Sequence, residues 1–314
     1  MSERPPSIAP ESEPESSAQT RCGYVALIGA PNAGKSTLLN CLVGSKVAIV
    51  SPKVQTTRTR VLGITIEGAA QLIFVDTPGI FTPKRRLERA MVAAAWEGAD
   101  DADVVVLLVD SSARLKPETL AIAERLREYR RPAILALNKV DAVKPPVLLE
   151  LAERLNQAGR FAETFMISAL TGSGVDDLRR SFAMRVPEGP WLFPEDQLSD
   201  MPERLLAAEI TREKLFLRLQ QELPYSLTVE TESWEELEDG SARIGQVIYV
   251  QRESQKPIVL GRGGSMIKLV GIAARRELEE ILERRIHLSL YVKVRENWID
   301  DPERYRDWGL DYNS

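Results

Sequence analysis

GAPNAGKS, Gly29 to Ser36, decides the fold. It matches the pattern GxxxxGK[ST] and stands between an apolar β-rich run, YVALIG (Tyr24–Gly29), and a helix-forming run, KSTLLNCLV (Lys35–Val43). Strand, loop and helix in that order are the context a phosphate-binding loop requires. Gly29 and Gly34 let the backbone turn its N–H groups toward phosphate oxygens, and a helix beginning near Lys35 adds the positive end of its dipole. Lys35 is expected to reach the β and γ phosphates and Ser36 to offer its hydroxyl to Mg²⁺. The rest of the loop, Ala30, Pro31, Asn32 and Ala33, and Thr37 after it, should line the same nucleotide.

Three further motifs follow, each at the end of an apolar run. DTPG (Asp76, Thr77, Pro78, Gly79) closes QLIFVD, where a P-loop protein needs a carboxylate near Mg²⁺ and a backbone N–H facing the γ phosphate. Lys35, Asp76 and Gly79 are therefore candidate catalytic groups. NKVD (Asn138 to Asp141) closes AILALN and selects the base. Asp141 can accept two hydrogen bonds from the N1 and N2 edge of guanine. Adenine has no exocyclic donor there, and an unpaired buried carboxylate costs a few kcal/mol. Asn138 is expected to tie the loops together and Lys139 to cover the ring with its aliphatic stem. Ser168, Ala169 and Leu170 close a later run, with the Ala169 N–H available for guanine O6. GTP and GDP are the ligands these motifs imply.

Outward from the loop, the chain alternates β-rich and helical stretches: LGITIE, QLIFVD, VVVLLVD, AILALN and TFMIS. This predicts an α/β domain with an open, mostly parallel sheet, in which LGITIE and QLIFVD form an antiparallel hairpin. The alternation stops near Met184. VPEGPWLFPEDQLSDMPE, rich in proline and acid, reads as a linker. Beyond it the order is helix (about Glu203 to Glu222), two strands, short helix, glycine turn, long helix and strand, a smaller α+β domain. We expect a disordered acidic tail over 1–19, a nucleotide domain over 20–185, a linker over 186–201 and a second domain over 202–314.

Composition narrows the functional classes. Cys22, Cys41 and the single His287 cannot build a disulfide framework or a structural zinc site. The N-terminal stretch is rich in Pro, Ser and Glu where a signal peptide has an apolar run, and the longest apolar runs are too short to span a bilayer. A cytosolic protein is expected. The formal net charge is −5. Yet Lys256 to Arg295 holds nine basic and four acidic residues, a local excess of +5 that suits nucleic acid.

At this point a family resemblance emerges. The nucleotide domain resembles translation-factor-like GTPases, and SPKVQTTRTRVLGI (Ser51–Ile64) with VIYVQRESQKPIVLGRGGSMIKLVGIAARRELE (Val247–Glu279) resembles the Era family of bacterial GTPases. The resemblance runs from about Tyr24 to Trp298. It implies that Lys46–Arg60 is switch I, with Thr57 contacting Mg²⁺ and the γ phosphate and Thr56 as the alternative, and that Phe81–Arg89 is switch II. It implies that the second domain is a type II KH domain whose loop Gly261, Arg262, Gly263, Gly264 approaches a sugar-phosphate backbone. Arg262 and Lys268 would neutralise phosphates, and Ile258, Val259, Met266 and Ile267 would form a groove for bases. It further implies 16S rRNA and the small (30S) ribosomal subunit as partners, a monomer, and a cytoplasmic location with peripheral contact to the inner face of the membrane.

Ile80 follows DTPG where Ras-like proteins carry a water-orienting glutamine, so slow hydrolysis with help from elsewhere is expected. Asn32 occupies the position of the asparagine that holds K⁺ in related GTPases, which makes K⁺ a second expected cofactor. The competing class is a tRNA-modifying or metabolic P-loop enzyme. Against it, the chain lacks the C-terminal cysteine signature of the tRNA-modifying relatives and the second G domain of tandem assembly GTPases.

Overall fold

The computed structural model describes residues 19–53, 56–58, 60–130, 132–296 and 298–313. Residues 1–18, all but the last of the expected tail over 1–19, lie outside these, as do three positions of the expected switch I (54, 55 and 59).

The first sheet has six strands: β1 (Arg21–Ile28), β2 (Val61–Glu67), β3 (Ala70–Asp76), β4 (Val104–Asp110), β5 (Ala133–Asn138) and β6 (Phe161–Met166). Their order is β2-β3-β1-β4-β5-β6. Only the β2–β3 pair is antiparallel, as expected of a hairpin closed by Gly68 and Ala69. The central strands are unbroken apolar runs because helices cover both faces. These helices are α1 (Lys35–Val43), α2 (Arg86–Asp100), α3 (Pro117–Leu126), α4 (Pro145–Ala158) and α5 (Val175–Arg185). One core lies beneath α1 and α5 around Leu38, Phe74 and Phe182, the other beneath α2, α3 and α4 around Ile28, Leu107 and Leu135.

Register converges the motifs. Parallel pairing sets Leu27 beside Asp76 and Asp110 beside Asn138, so the loops after β1, β3 and β5 open at one sheet edge. Ligands of open α/β sheets bind at such carboxyl ends.

The stretch read as a linker lies along the sheet. The Trp191 indole donates to the Ala69 carbonyl at 3.1 Å and Ile64 N donates to the Leu198 carbonyl at 2.8 Å. Gln71, fully buried, accepts from Leu192 N and Phe193 N and donates to the Phe193 carbonyl. A buried amide with every group paired holds its segment in place.

The second sheet is β7 (Leu227–Glu236), β8 (Ala242–Val250) and β9 (Ile286–Val294), with β8 and β9 parallel. A parallel pair needs a crossover. It is supplied by α7 (Lys256–Leu260) and α8 (Ser265–Leu282), and α6 (Glu203–Arg218) packs beside α8. The expected helix to Glu222 stops at Arg218, because a short 3-10 turn with Pro224 follows at 223–226.

Two features depart from the sequence reading. The run Glu253–Leu282 meets the length and mean hydropathy (1.3) of a membrane span. Positive φ at Gly261, Gly263 and Gly264 breaks it into α7 and α8, and Val270, Ala274 and Leu278 turn one face of α8 into the core. A final helix, α9 (Pro302–Asp307), was not anticipated. The Asp301 side chain caps it and Pro302 fits its first turn. Tyr305 and Leu310 then pack on Leu87, Ala90 and Met91 of α2.

Candidate nucleotide site and interdomain surface

The cleft beside the glycine loop is lined by Pro31, Asn32, Gly34, Lys35, Ser36 and Thr37, by Ile49 to Lys53, Thr56 and Thr57, and by Gly79 and Lys139. Lys35 donates to the Gly29 and Ala30 carbonyls at 3.2 Å, which folds its ammonium back under the loop. Burial pushes Lys35 down to about 8, against the pull of Asp76. Burial also raises Asp76, opposed by Lys35, Ser36 and Thr57.

Ser36 Oγ donates to Asp76 Oδ2 at 2.6 Å and lies 3.0 Å from Thr57 Oγ1, which is itself 3.2 Å from Asp76 Oδ2. The other carboxylate oxygen, Asp76 Oδ1, is buried without a hydrogen-bond partner among the described residues. Two hydroxyls and a half-satisfied carboxylate are a hard-oxygen donor set that fits Mg²⁺. Thr56 stays outside this set, its hydroxyl bonded to Ser51 Oγ and the Lys53 carbonyl.

Asn138, 2% exposed, donates to the Ala33 carbonyl at 2.8 Å and accepts from Ala169 N at 2.9 Å. It joins the loops after β1, β5 and β6. The Ala169 N–H expected to face guanine is therefore committed to Asn138, a correction to the sequence reading. Ser168 is buried and Leu170 is 80% exposed. Lys139, at φ 65°, pairs with Asp110 at 2.6 Å, and Asp141 is exposed in the 3-10 turn 140–142.

Thr77 is anchored by a hydrogen bond to the Leu27 carbonyl, and Ile80 N donates to the Gly29 carbonyl. The Ile80 side chain is buried in the core with Ala95 and Trp96. Asn32, at φ 64°, is exposed and donates to the Pro52 carbonyl at 2.9 Å. Pro31 sets the approach of Gly79, since a Cβ there would meet Pro31 Cγ at 2.8 Å.

Residues 46–53 and 56–58 are held by the second domain, which sequence reasoning did not foresee. Lys46 pairs with Glu213 at 2.8 Å and with Glu277, Lys214 bridges the same two carboxylates, and Val50 N donates to Glu213 at 2.8 Å. Lys53 reaches the Phe216 carbonyl, and Arg212 reaches the Thr56 carbonyl. Arg58, 3% exposed, lies wholly among second-domain groups. Burial, with Arg212 nearby, pushes its pKa down to about 9, which leaves it charged at neutral pH. No local sequence pattern signals these long-range contacts.

In the second domain, Gly261, Gly263 and Gly264 all have positive φ, and a Cβ at Gly263 would meet open space. A groove between α8 and β9 is lined by Ile267, Lys268, Gly271, Ile272, Arg275, Leu288 and Leu290. Ile258 is 56% exposed on α7, and Met266 is half-buried. Val259, expected as a groove wall, is instead fully buried in the core with Val270 and Ile248 and cannot touch a base. Of the basic residues in this region, Arg276, Arg284, Lys293 and Arg295 are ion-paired. Lys256, Arg262, Lys268, Arg275 and Arg285 make no ion pair among the described residues.

Residues 24–139 match the family model described as 50S ribosome-binding GTPase, and residues 222–299 match that of the KH domain. GTPase Era of Brucella suis biovar 1 is 62% identical over 294 residues, 94% of each chain. GTPase Era of Afipia carboxidovorans is 60% identical over 304 residues, 96% of this chain and 99% of the relative. Two solved structures each align with a TM-score of 0.85 and 40% identity, over 92% of this chain and 99% of theirs. One is a variant of Aquifex aeolicus Era bound to GDP and AlF₄⁻, the other Era in complex with MgGDPNP and nucleotides 1506–1542 of 16S ribosomal RNA. Identity of this level across both domains shows that the chain belongs to the Era family of GTPases.

Proposed function

We propose that this GTPase converts GTP and water to GDP and phosphate as a switch on 16S rRNA during assembly of the small ribosomal subunit. The observation that carries the nucleotide half is the convergence of Ser36, Thr57 and Asp76 beside a buried lysine at the phosphate loop. Mg²⁺ would be held by Ser36 and Thr57, with Asp76 behind them, and would neutralise charge developing between the β and γ phosphates. Lys35 would turn from the loop carbonyls to phosphate oxygens, and the Gly79 N–H would face the γ phosphate. Asp141 reads the guanine edge while Asn138 keeps the base-side loops in register with the phosphate loop.

Ile80 has no polar group to orient the attacking water, so another positive charge near the β and γ phosphates would assist hydrolysis. Asn32 supplies a ligand for K⁺ there. Its amide nitrogen donates to the Pro52 carbonyl, which brings switch I beside Asn32, and a turn of the amide would present its oxygen to an ion on that side.

The RNA half rests on the glycine loop and the unpaired cations around it. Arg262 and Lys268 meet phosphates, Gly261 to Gly264 admit the backbone, and Ile258, Met266, Ile267 and Ile272 offer apolar surface to bases. The relative that binds nucleotides 1506–1542 of 16S rRNA supports that choice of RNA. The test is fluorescence anisotropy with that fragment and a shuffled-sequence control of equal length. Preference for the native fragment is expected; equal affinity for both would contradict the proposal.

A further inference from the structure

Thr57 and Arg58 are consecutive, yet they serve opposite sides of the molecule. The Thr57 hydroxyl lies with Ser36 and Asp76 in the nucleotide cleft. The Arg58 guanidinium donates to three carbonyls of the second domain, Leu227 at 2.9 Å, Tyr225 at 3.3 Å and Pro224 at 3.4 Å. It also lies between the Phe216 and Trp298 rings, 5.9 and 5.7 Å from their centroids. Neighbouring Cα atoms across a trans peptide are only about 3.8 Å apart, so a shift of one residue is passed to the other.

The receptor for Arg58 is built from backbone carbonyls at the end of the 3-10 turn 223–226 and at the start of β7. The nucleotide domain contains none of it. A planar guanidinium with several donors can bond divergent carbonyls and stack between rings; a lysine ammonium cannot do both.

We infer that Arg58 is a positioning residue for GTP hydrolysis, by which the C-terminal domain fixes the Thr57 hydroxyl at the Mg²⁺ position. The inference rests on the assignment of Thr57 to Mg²⁺ made above. It makes the C-terminal domain a structural part of the hydrolytic site as well as an RNA reader. The Arg58 guanidinium is taken up by second-domain carbonyls, so it acts on the nucleotide site through Thr57. GDP, which leaves no γ phosphate for switch I to close upon, should bind without its help.

The test uses the full chain, with Arg58→Ala, Arg58→Lys and Thr57→Ala beside the unaltered protein. Affinities for GDP and for a non-hydrolysable GTP analogue are measured across a Mg²⁺ titration, together with single-turnover hydrolysis and thermal unfolding. Arg58→Ala should raise the Mg²⁺ midpoint for the analogue about tenfold, as expected for one lost charge-assisted anchor. Hydrolysis should slow by at least the same factor, GDP affinity should stay within about twofold, and Arg58→Lys should recover part of the loss. Should Arg58→Ala prove unfolded, Arg58→Lys, which keeps charge and bulk, carries the same comparison at smaller amplitude. Equal losses for GDP and analogue in a folded variant, or an unmoved midpoint, overturn the inference. An unmoved midpoint in Thr57→Ala removes the Mg²⁺ assignment itself; a shift there with none in Arg58→Ala overturns the positioning role alone.

Discussion

The Asn138 amide nitrogen occupies the space in which a side chain on Gly34 would begin: a Cβ at residue 34 would lie 2.3 Å from Asn138 Nδ2. Gly34 also holds φ 96°, a conformation that side chains disfavour. Gly34→Ala should therefore push Asn138 off the Ala33 carbonyl and disturb both the phosphate and the base loops. Isothermal titration should show GTP and GDP affinities reduced together by roughly a hundredfold or more, since about 3 kcal/mol of strain and lost hydrogen bonding is involved. Unchanged affinity would show that the two loops are not coupled through this contact.

Asp141→Asn replaces two acceptors at the guanine edge with one acceptor and one donor. Preference should move from GTP toward xanthosine triphosphate by on the order of a hundredfold, the scale of a mispaired polar contact at a buried base. Competition binding with both nucleotides measures it. If the unaltered protein binds ATP as tightly as GTP, the base assignment is wrong.

The Glu213 carboxylate, 4% exposed, joins the two domains through Lys46 and Val50 N and also pairs with its neighbour Lys214, with Glu277 facing the same two lysines. Burial alone would raise its pKa, but the hydrogen bonds from Lys214, Lys46 and Val50 outweigh it and hold the carboxyl below its ordinary 4.5. A carboxyl depressed by folding contributes stability that is complete above the unfolded value and lost as pH falls through the folded one. Glu213→Gln should cost on the order of 3 kcal/mol at pH 7, because two lysines lose a partner. The difference from the unaltered protein should shrink as pH falls below 4.5 in denaturant titrations. A penalty that does not change with pH would remove the ion-pair account.

Much of this was legible because phosphate loops, strand alternation and base motifs are local patterns. GAPNAGKS, DTPG and NKVD each need only a few consecutive residues in one backbone conformation, and all three end β strands as read. What escaped the sequence depends on distance or on rotation about a helix. Ile258 and Val259 are equally apolar, and only the docking of α7 shows that the first faces solvent and the second the core. Arg58 reads as one more switch I cation until the turn at 223–226 is seen to receive it. α9 did leave a local signal in the Asp301–Pro302 pair, a capping residue followed by a first-turn proline.

Asn32 provides a test of the monovalent cation. Hydrolysis measured in potassium and in sodium at equal ionic strength should be faster in potassium by about tenfold, the scale of one added electrostatic contact to the developing charge. Asn32→Ala should abolish the difference while leaving GDP affinity within about twofold. Equal rates in both salts for the unaltered protein would contradict the role.

The proposed function couples a nucleotide switch to an RNA surface within one chain. Affinity for the 16S fragment should therefore differ between the GDP-bound and GTP-analogue-bound protein by about fivefold or more, and by reciprocity the RNA should favour one nucleotide by the same factor. Gly263→Asp, which sets a carboxylate where the RNA backbone must pass, should abolish RNA binding in both states and leave nucleotide affinity unchanged. Measuring RNA affinity in the two nucleotide states is the most direct test: a higher affinity with the GTP analogue is the predicted result, and identical affinities would contradict the switch.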